Sequence, residues 1–407
     1  EGLRDQHRLL RGDTGVPAPM PFPKPNHPMK IALIGTAHPF RGGLAAYNER
    51  LVKELQDQGH RADLYTFTLQ YPSLLFPGKT QYSEEPAPTE INIIPAVNSI
   101  NPINWMSVGN GLKKEDYDLV LIKFWLPFMG PCFGTILRLA KRNPKTTVLA
   151  IIDNIIPHET RPGDTVFAKY FCGPVDGFVA MSQAVVKDLK SFAGNKPVVY
   201  SPHPIFDNFG AALPRERALA DLGLNPTDQH LLFFGLIRDY KGLDLLLEAY
   251  AERRFRKSGI KLIVAGEFSA DRAPYDALID QHNLRDEIKF VDRFIQDSEV
   301  STFFSAADLV VQPYKTATQS GVTQIAYHFN KPMIVTDVGG LAEMCPDGRV
   351  GYVVPPKPTA IADAIFRFFN DTDRAAMEAM IVEEKRQYSW EIMVERLLAL
   401  RGEIYQK

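Results

Sequence analysis

The sequence predicts an α/β protein built from two parallel-sheet units. Three observations carry that reading. The chain has 407 residues, and one domain takes roughly 100–200. From Met29 onward, short apolar runs alternate with amphipathic stretches, the pattern of strands and covering helices. The alternation breaks at the proline-rich stretch Pro202–Pro226 and then starts again.

In the first unit the expected strands are Ile31–Ile34, Ala62–Phe67, Leu119–Lys123, Thr147–Ile152, Gly177–Met181 and Val198–Tyr200. Helices are expected at Leu44–Gln58, Thr135–Arg142 and Gln183–Leu189. In the second unit the strands are Leu231–Gly235, Lys261–Ala265, Ile288–Val291, Leu309–Gln312 and Met333–Thr336. Its helices are Gly242–Ala251, Tyr275–His282, Asp297–Ala306 and Gly321–Phe329. A last helix, Trp390–Ile404, follows the second unit and can cross back onto the first. The expected domains are 29–210 together with the tail 388–407, and 211–387. Residues 1–28, whose stretch Pro17–Pro28 alternates proline with small or polar residues, are expected to be a disordered, proline-rich leader.

Composition excludes several classes. Hydrophobic residues make up 45% and charged residues 23%, an ordinary globular balance. The formal net charge of -2 offers no bulk attraction to nucleic acid or to an anionic membrane. Cys132, Cys172 and Cys345 stand far apart, which argues against a disulfide framework and a zinc site. A reduced, cytoplasmic setting is expected. No apolar run reaches the ~18 residues of a membrane span, and the chain starts polar, without the apolar core of a signal peptide.

Five strand-end motifs carry candidate chemistry. Pro39-Phe40-Arg41-Gly42-Gly43 follows the first strand and opens a helix, where backbone and helix N-terminus can receive an anion. The dinucleotide pattern Gly-x-Gly-x-x-Gly is absent there, against a dehydrogenase. Phe234-Gly235-Leu236-Ile237-Arg238-Asp239-Tyr240-Lys241-Gly242 sets two cations at the carboxyl end of a strand, where open α/β sheets bind ligands. Arg238 suits bidentate phosphate recognition and Lys241 acts as a point charge. Ser320, Gly321 and Val322 begin a helix and offer either a phosphate cradle or ordinary capping. Asp337-Val338-Gly339-Gly340 leads to Glu343 after another strand. Asp153, Asn154, His158 and Glu159 crowd the end of strand Thr147–Ile152, where they can contact hydroxyls or move protons. The aromatic run Phe124–Met129 reads as core, with an acceptor groove as the alternative.

Taken in order, these segments resemble glycosyltransferase family 4 (glycosyl transferases group 1). The likeness runs from Met29 to the end and is strongest from Leu231 to Pro356. The resemblance implies the GT-B fold: two Rossmann-like domains facing across a cleft, with a C-terminal helix crossing back to the first. It implies a retaining hexosyltransferase that takes a UDP- or GDP-sugar and needs no other cofactor and no metal. Arg238 and Lys241 would hold the diphosphate, with Gly42, Gly43 and Gly235 beside it. Gly266 and Glu267 would approach the nucleotide. Arg293, Phe294 and Ile295 would flank the base. Ser320, Gly321 and Val322 would sit near the diphosphate and ribose. Asp153 and His158 would act in catalysis, while Asn154, Glu159, Thr318 and Gln319 would contact sugar or acceptor.

The chain departs from the family pattern twice. Ala317 and Ile325 stand where many relatives carry a pair of glutamates, and Asp153 stands where a histidine is common. The expected partners are a nucleotide-sugar and a glycan or lipid-linked acceptor of a bacterial surface polysaccharide, with peripheral contact at the inner face of the membrane and no nucleic acid. A UDP-sugar 2-epimerase and a catalytically silent sugar-nucleotide binder remain as rivals.

Overall fold

The computed structural model describes residues 27–72, 81–156, 161–255, 258–317 and 320–405. The leader 1–26 and the site candidates His158, Glu159, Thr318 and Gln319 lie outside the described residues.

The first unit runs β1 (Lys30–Ile34), α1 (Gly43–Asp57), β2 (Arg61–Leu69), β3 (Asn92–Asn98), α2 (Pro102–Lys114), β4 (Leu119–Phe124), α3 (Gly130–Ala140), β5 (Thr147–Ile152), α4 (Asp164–Cys172), β6 (Gly177–Ala180), α5 (Gln183–Leu189) and β7 (Val198–Tyr200). The strands pair in parallel in the order β3-β2-β1-β4-β5-β6-β7. β4 and β5 are buried along their whole length, as expected for parallel strands covered on both faces.

The second unit runs α6 (Arg215–Asp221), β8 (Gln229–Phe234), α7 (Leu243–Tyr250), β9 (Ile260–Ala265), α8 (Ala273–His282), β10 (Ile288–Val291), α9 (Val300–Ala306), β11 (Leu309–Gln312), α10 (Gly321–His328), β12 (Met333–Thr336), β13 (Gly351–Val354), α11 (Pro358–Asp371) and α12 (Arg374–Glu384). Its strand order is β10-β9-β8-β11-β12-β13, again parallel. Both sheets therefore reverse direction of growth once, between β1 and β4 and between β8 and β11. Open α/β sheets bind ligands at such switch points, outside the carboxyl ends of the strands.

The last helix, α13 (Trp390–Tyr405), returns to the first unit and packs on α1, β5 and β6. The Trp390 indole N–H donates to the Ile205 carbonyl at 2.8 Å, and its ring lies 5.0 Å from that of Tyr47.

The differences from the expected elements have physical reasons. β3 was not expected because Pro95 interrupts it and most of it is only half-buried; it is an edge strand, where a missing N–H is tolerated. α2 holds Gly109 and Gly111 and lacks a clear apolar stripe, but Pro102 opens it and the Asn101 side chain caps it through the N–H groups of Ile103 and Asn104. α3 begins earlier than expected, at Gly130, with Pro131 in its first turn. The helix expected over Asp297–Ala306 starts as a 3-10 turn, Asp297–Glu299, before α9. Among the described residues no helix is long and apolar enough to cross a membrane.

Candidate active site at the facing switch points

The second-domain wall is built at the β8/β11 switch. After β8 the chain turns at Gly235, passes Arg238, makes the 3-10 turn Asp239–Lys241 and enters α7 through Gly242. Gly242 is left-handed, with φ at 67°, and a Cβ there would lie 2.0 Å from the Pro313 carbonyl oxygen. Only glycine fits this corner. Lys241 Nζ points back over the sheet end, 5.6 Å from the centre of the Tyr314 ring. A Cβ on Gly235 would lie 3.1 Å from that ammonium, so Gly235 leaves it room. Gly266 follows β9, and a Cβ on it would meet the Gly235 carbonyl oxygen at 2.0 Å. The two turns are in backbone contact.

Among the described residues the cations of this wall have no counter-ion. The neighbouring carboxylates Asp239 and Asp244 are both taken by Lys315, at 2.7 and 2.9 Å. Among the described residues neither Arg238 nor Lys241 makes an ion pair or a side-chain hydrogen bond. Burial, and then the charge of Arg238, push Lys241 down to about 8. Beside them α10 begins at Ser320, whose hydroxyl accepts from the Val322 N–H and lies 3.2 Å from the Tyr314 hydroxyl. The start of α10 touches the Gly235 corner through Val322. Arg238, Lys241, Gly235, Gly266, Ser320, Gly321 and Val322 thus gather at one end of the sheet.

The nucleotide candidates separate. Glu267 is 3% exposed and accepts from Arg41 of the first domain at 2.7 Å. The Arg41 guanidinium also lies over the Phe294 ring at 3.8 Å. Arg293 turns to Glu299, and the side chain of Ile295 is buried in the core, leaving its backbone for contact. Gly42, with φ at 101°, and Gly43 start α1 directly after Arg41. In the sequence Arg41 stands in the glycine motif with no role legible for it. The signal was its place beside Gly42-Gly43; the partner across the cleft was not readable. Further contacts join the walls: the Ser298 N–H donates to Glu85 at 3.0 Å and the Gln183 N–H to Glu343 at 3.1 Å. Burial, with Glu85 and Glu49 nearby, raises Asp297 to about 6.

The first-domain wall is arranged differently. Asp153 follows β5 and pairs with Lys123 of β4 at 2.9 Å; Lys123 is 1% exposed. The Lys123 ammonium sits 3.4 Å from the centre of the Tyr47 ring. Burial lowers Lys123 from its ordinary value, and burial followed by the Lys123 charge holds His203 down to about 3. Asn154, next in the chain, is half-buried. The aromatic run divides. Phe124, Pro127 and Met129 are buried as expected, while Trp125 and Phe128 are half-buried. Trp125 donates to the Tyr71 hydroxyl at 2.7 Å, and Phe128 stacks on Tyr71. The charge of Arg238 reaches the Tyr71 phenol from the other wall. Tyr71 was not a sequence candidate.

Residues 228–371 match the family model described as Glycosyl transferases group 1. That stretch is a glycosyltransferase domain. The chain is similar to alpha-D-kanosaminyltransferase of Streptomyces kanamyceticus, 30% identical over 144 residues, which is 35% of this chain and 37% of the relative. It is also similar to D-inositol 3-phosphate glycosyltransferases. The one from Segniliparus rotundus is 27% identical over 55% of this chain and 51% of its own length. The one from Corynebacterium glutamicum is 23% identical over 88% and 91%. The first two matches therefore span 37% and 51% of the relatives' length. Among solved structures, sucrose-phosphate synthase from Thermosynechococcus elongatus has a TM-score of 0.71 at 19% identity, covering 93% of this chain and 99% of that one. HepE from Anabaena in complex with UDP-glucose has a TM-score of 0.65 at 16% identity, covering 93% and 98%. The architecture is that of the GT-B fold, with the glycosyltransferase domain as its second half.

Proposed function

We propose that the protein is a retaining glycosyltransferase that uses a UDP- or GDP-sugar and a glycan or lipid-linked acceptor of a surface polysaccharide. The observation that carries this is the pair Arg238 and Lys241, two cations at a switch point with no counter-ion among the described residues, one of them pushed down to about 8. Such a pair suits an anion supplied from outside, and the proposed anion is the diphosphate of a sugar nucleotide, received between them and the start of α10.

In the reaction the bond from the anomeric carbon to the leaving phosphate oxygen breaks. The nucleoside diphosphate keeps the electron pair. The acceptor oxygen bonds to the same carbon on the face the donor left, and its proton passes to the departing phosphate. Negative charge grows on that phosphate, where Arg238, Lys241 and the N–H group of Gly321 stand ready without rearranging. Arg41 is the first-domain group nearest the nucleotide candidates and can exchange Glu267 for the ligand. Asp153, held by Lys123, and the adjacent Asn154 stand at the end of β5, on the wall where the acceptor is proposed to bind. The proposed work of 29–210 is acceptor binding and that of 211–387 is donor binding.

The test is a thermal-shift panel of UDP, GDP and their sugars. A ligand at 100 times its Kd stabilises by about 2.7 kcal/mol, so one nucleotide series is expected to raise the melting temperature visibly. No shift with any of them would reject the reading. Conversion of the donor without acceptor would point instead to an epimerase.

A further inference from the structure

The fold leaves large apolar side chains in solvent at one region of the first domain. Ile103 is 74% exposed, Val166 67% and Met106 47%, and Ile156, Phe167 and Tyr170 are also exposed. Single exposed apolar residues are ordinary, but a group of them marks an interaction surface. Ile103 and Met106 belong to the first turns of α2; Val166, Phe167 and Tyr170 lie along α4. α2 and α4 flank α3 in one helical layer, with Tyr170 tied to α3 by its hydroxyl on Thr135 at 3.0 Å. Helices that follow parallel strands run back against them, so their first turns stand level with the carboxyl ends of the strands. The group therefore borders the cleft, and Ile156, which follows β5 and Asp153, links it to the site wall.

The charges around it point to its occupant. No Asp, Glu, Lys, Arg or His occurs from Ile91 to Leu112. On the α3 and α4 side the exposed or half-exposed charges beside the apolar group are Arg138, Arg161 and Lys169, against Asp164, which accepts from the Arg161 N–H at 2.7 Å. The Arg138 guanidinium lies 3.8 Å over the Tyr170 ring, about one turn along α4 from Phe167, and donates to the Gly134 and Tyr170 carbonyls. Apolar side chains ringed by Arg, Lys and Tyr suit a lipid interface, where the apolar parts enter and the cations meet headgroups. The net charge of -2 supplies no general attraction, so apolar insertion does most of the holding and the local cations select anionic headgroups.

We propose that the first domain docks on anionic lipid bilayers through the first turns of α2 and the exposed side of α4. Docked this way, the cleft opens at the membrane surface, within reach of an acceptor carried on lipid. This purpose rests on the transferase reading, whereas the docking itself does not and is measured without donor.

The experiment is co-sedimentation of the full chain with vesicles of phosphatidylcholine alone and of phosphatidylcholine with phosphatidylglycerol. The double variants Ile103→Glu/Met106→Glu and Val166→Glu/Phe167→Glu are compared. These positions are exposed, so unchanged melting temperatures are expected and show that the variants fold. The wild type is expected to pellet with the anionic vesicles, at least tenfold more than with the neutral ones, and each double variant to lose at least tenfold. A wild type that stays in solution with both vesicles overturns the proposal, as does equal pelleting of the variants. Light scattering is the second arm. A concentration-dependent dimer that the same variants abolish, with vesicles ignored, would assign the surface to another copy of the chain. Nucleotide shifts recorded on the same samples separate failure of docking from failure of the transferase reading.

Discussion

The two walls of the cleft handle buried charge in opposite ways. In the first domain Lys123 is 1% exposed, yet it has Asp153 at 2.9 Å and the face of Tyr47 beside it. In the second domain Arg238 and Lys241 stand together while the nearby carboxylates are held by Lys315. One wall answers its cation from within the fold. The other holds two cations without a counter-ion among the described residues, and the proposed answer is the ligand. The difference teaches where stability and function are separable. Removing charge from the first wall is expected to damage the fold, whereas removing it from the second is expected to relieve the fold and to damage the proposed binding.

The sharpest way to break this comparison is Asp153→Ala. It leaves Lys123 buried without a partner, and unfolding in urea is expected to show a loss of about 3–5 kcal/mol. The double variant Lys123→Met/Asp153→Leu is expected to recover most of it, because apolar replacements of a buried pair are often neutral. A neutral single variant would erase the contrast between the walls.

Next comes Lys241→Met. Turnover is expected to fall by about 10²–10³, about 2.7–4 kcal/mol in the transition state. The ligand-free protein is expected to melt higher, because a cation that burial disfavours has gone. The pH dependence has a definite sign. The folded value of about 8 lies below the ordinary 10.5. Lys241 therefore weakens the ligand-free fold fully below pH 8, and the penalty is relieved as pH rises from 8 towards 10.5. The Lys241→Met protein should lack that rise.

Third, nucleotide affinity in the wild type is expected to be flat below pH 8. Above it, affinity should fall by up to about tenfold per pH unit, since the ligand then requires a proton to be taken up. Calorimetry across pH 7–10 measures it, and a flat profile would mean that Lys241 does not meet the anion.

The smallest effect is expected from Arg41→Ala. Opening the cleft returns Glu267 to water, so global unfolding should change by no more than about 0.5 kcal/mol. The loss of the contact to Glu267 and Phe294 should appear instead as a larger radius of gyration in small-angle X-ray scattering of the ligand-free protein.

What was legible in the sequence follows from what is local. Continuous apolar runs such as Leu119–Ile122, Val148–Ile152 and Leu231–Phe234 announce buried parallel strands, and the ends of the last two place Asp153 and Gly235, Arg238 and Lys241 at the cleft. β3 and α2 were not legible, because a central proline and paired glycines oppose the elements that tertiary packing imposes. α11 did carry a signal, with Ile361, Ala362, Ile365 and Phe368 on one buried stripe, although the strand–helix count above stops short of it. The cleft pairings were out of reach for another reason. Lys123 meets Asp153 only because β4 lies in register beside β5, Phe124 opposite Ile152. Arg41 meets Glu267 across 226 residues of chain. A lysine inside an otherwise apolar strand was the one local hint that a counter-charge had to arrive from elsewhere.

The return of α13 carries a consequence for how the molecule is made. Trp390 closes over Tyr47 and donates to Ile205, 185 positions upstream. At about 5–20 residues per second of synthesis, that indole emerges about ten to forty seconds after its acceptor. Throughout that interval the apolar seat on α1 and the adjoining strands stays uncapped on the ribosome, so the half of the molecule translated first is the half completed last.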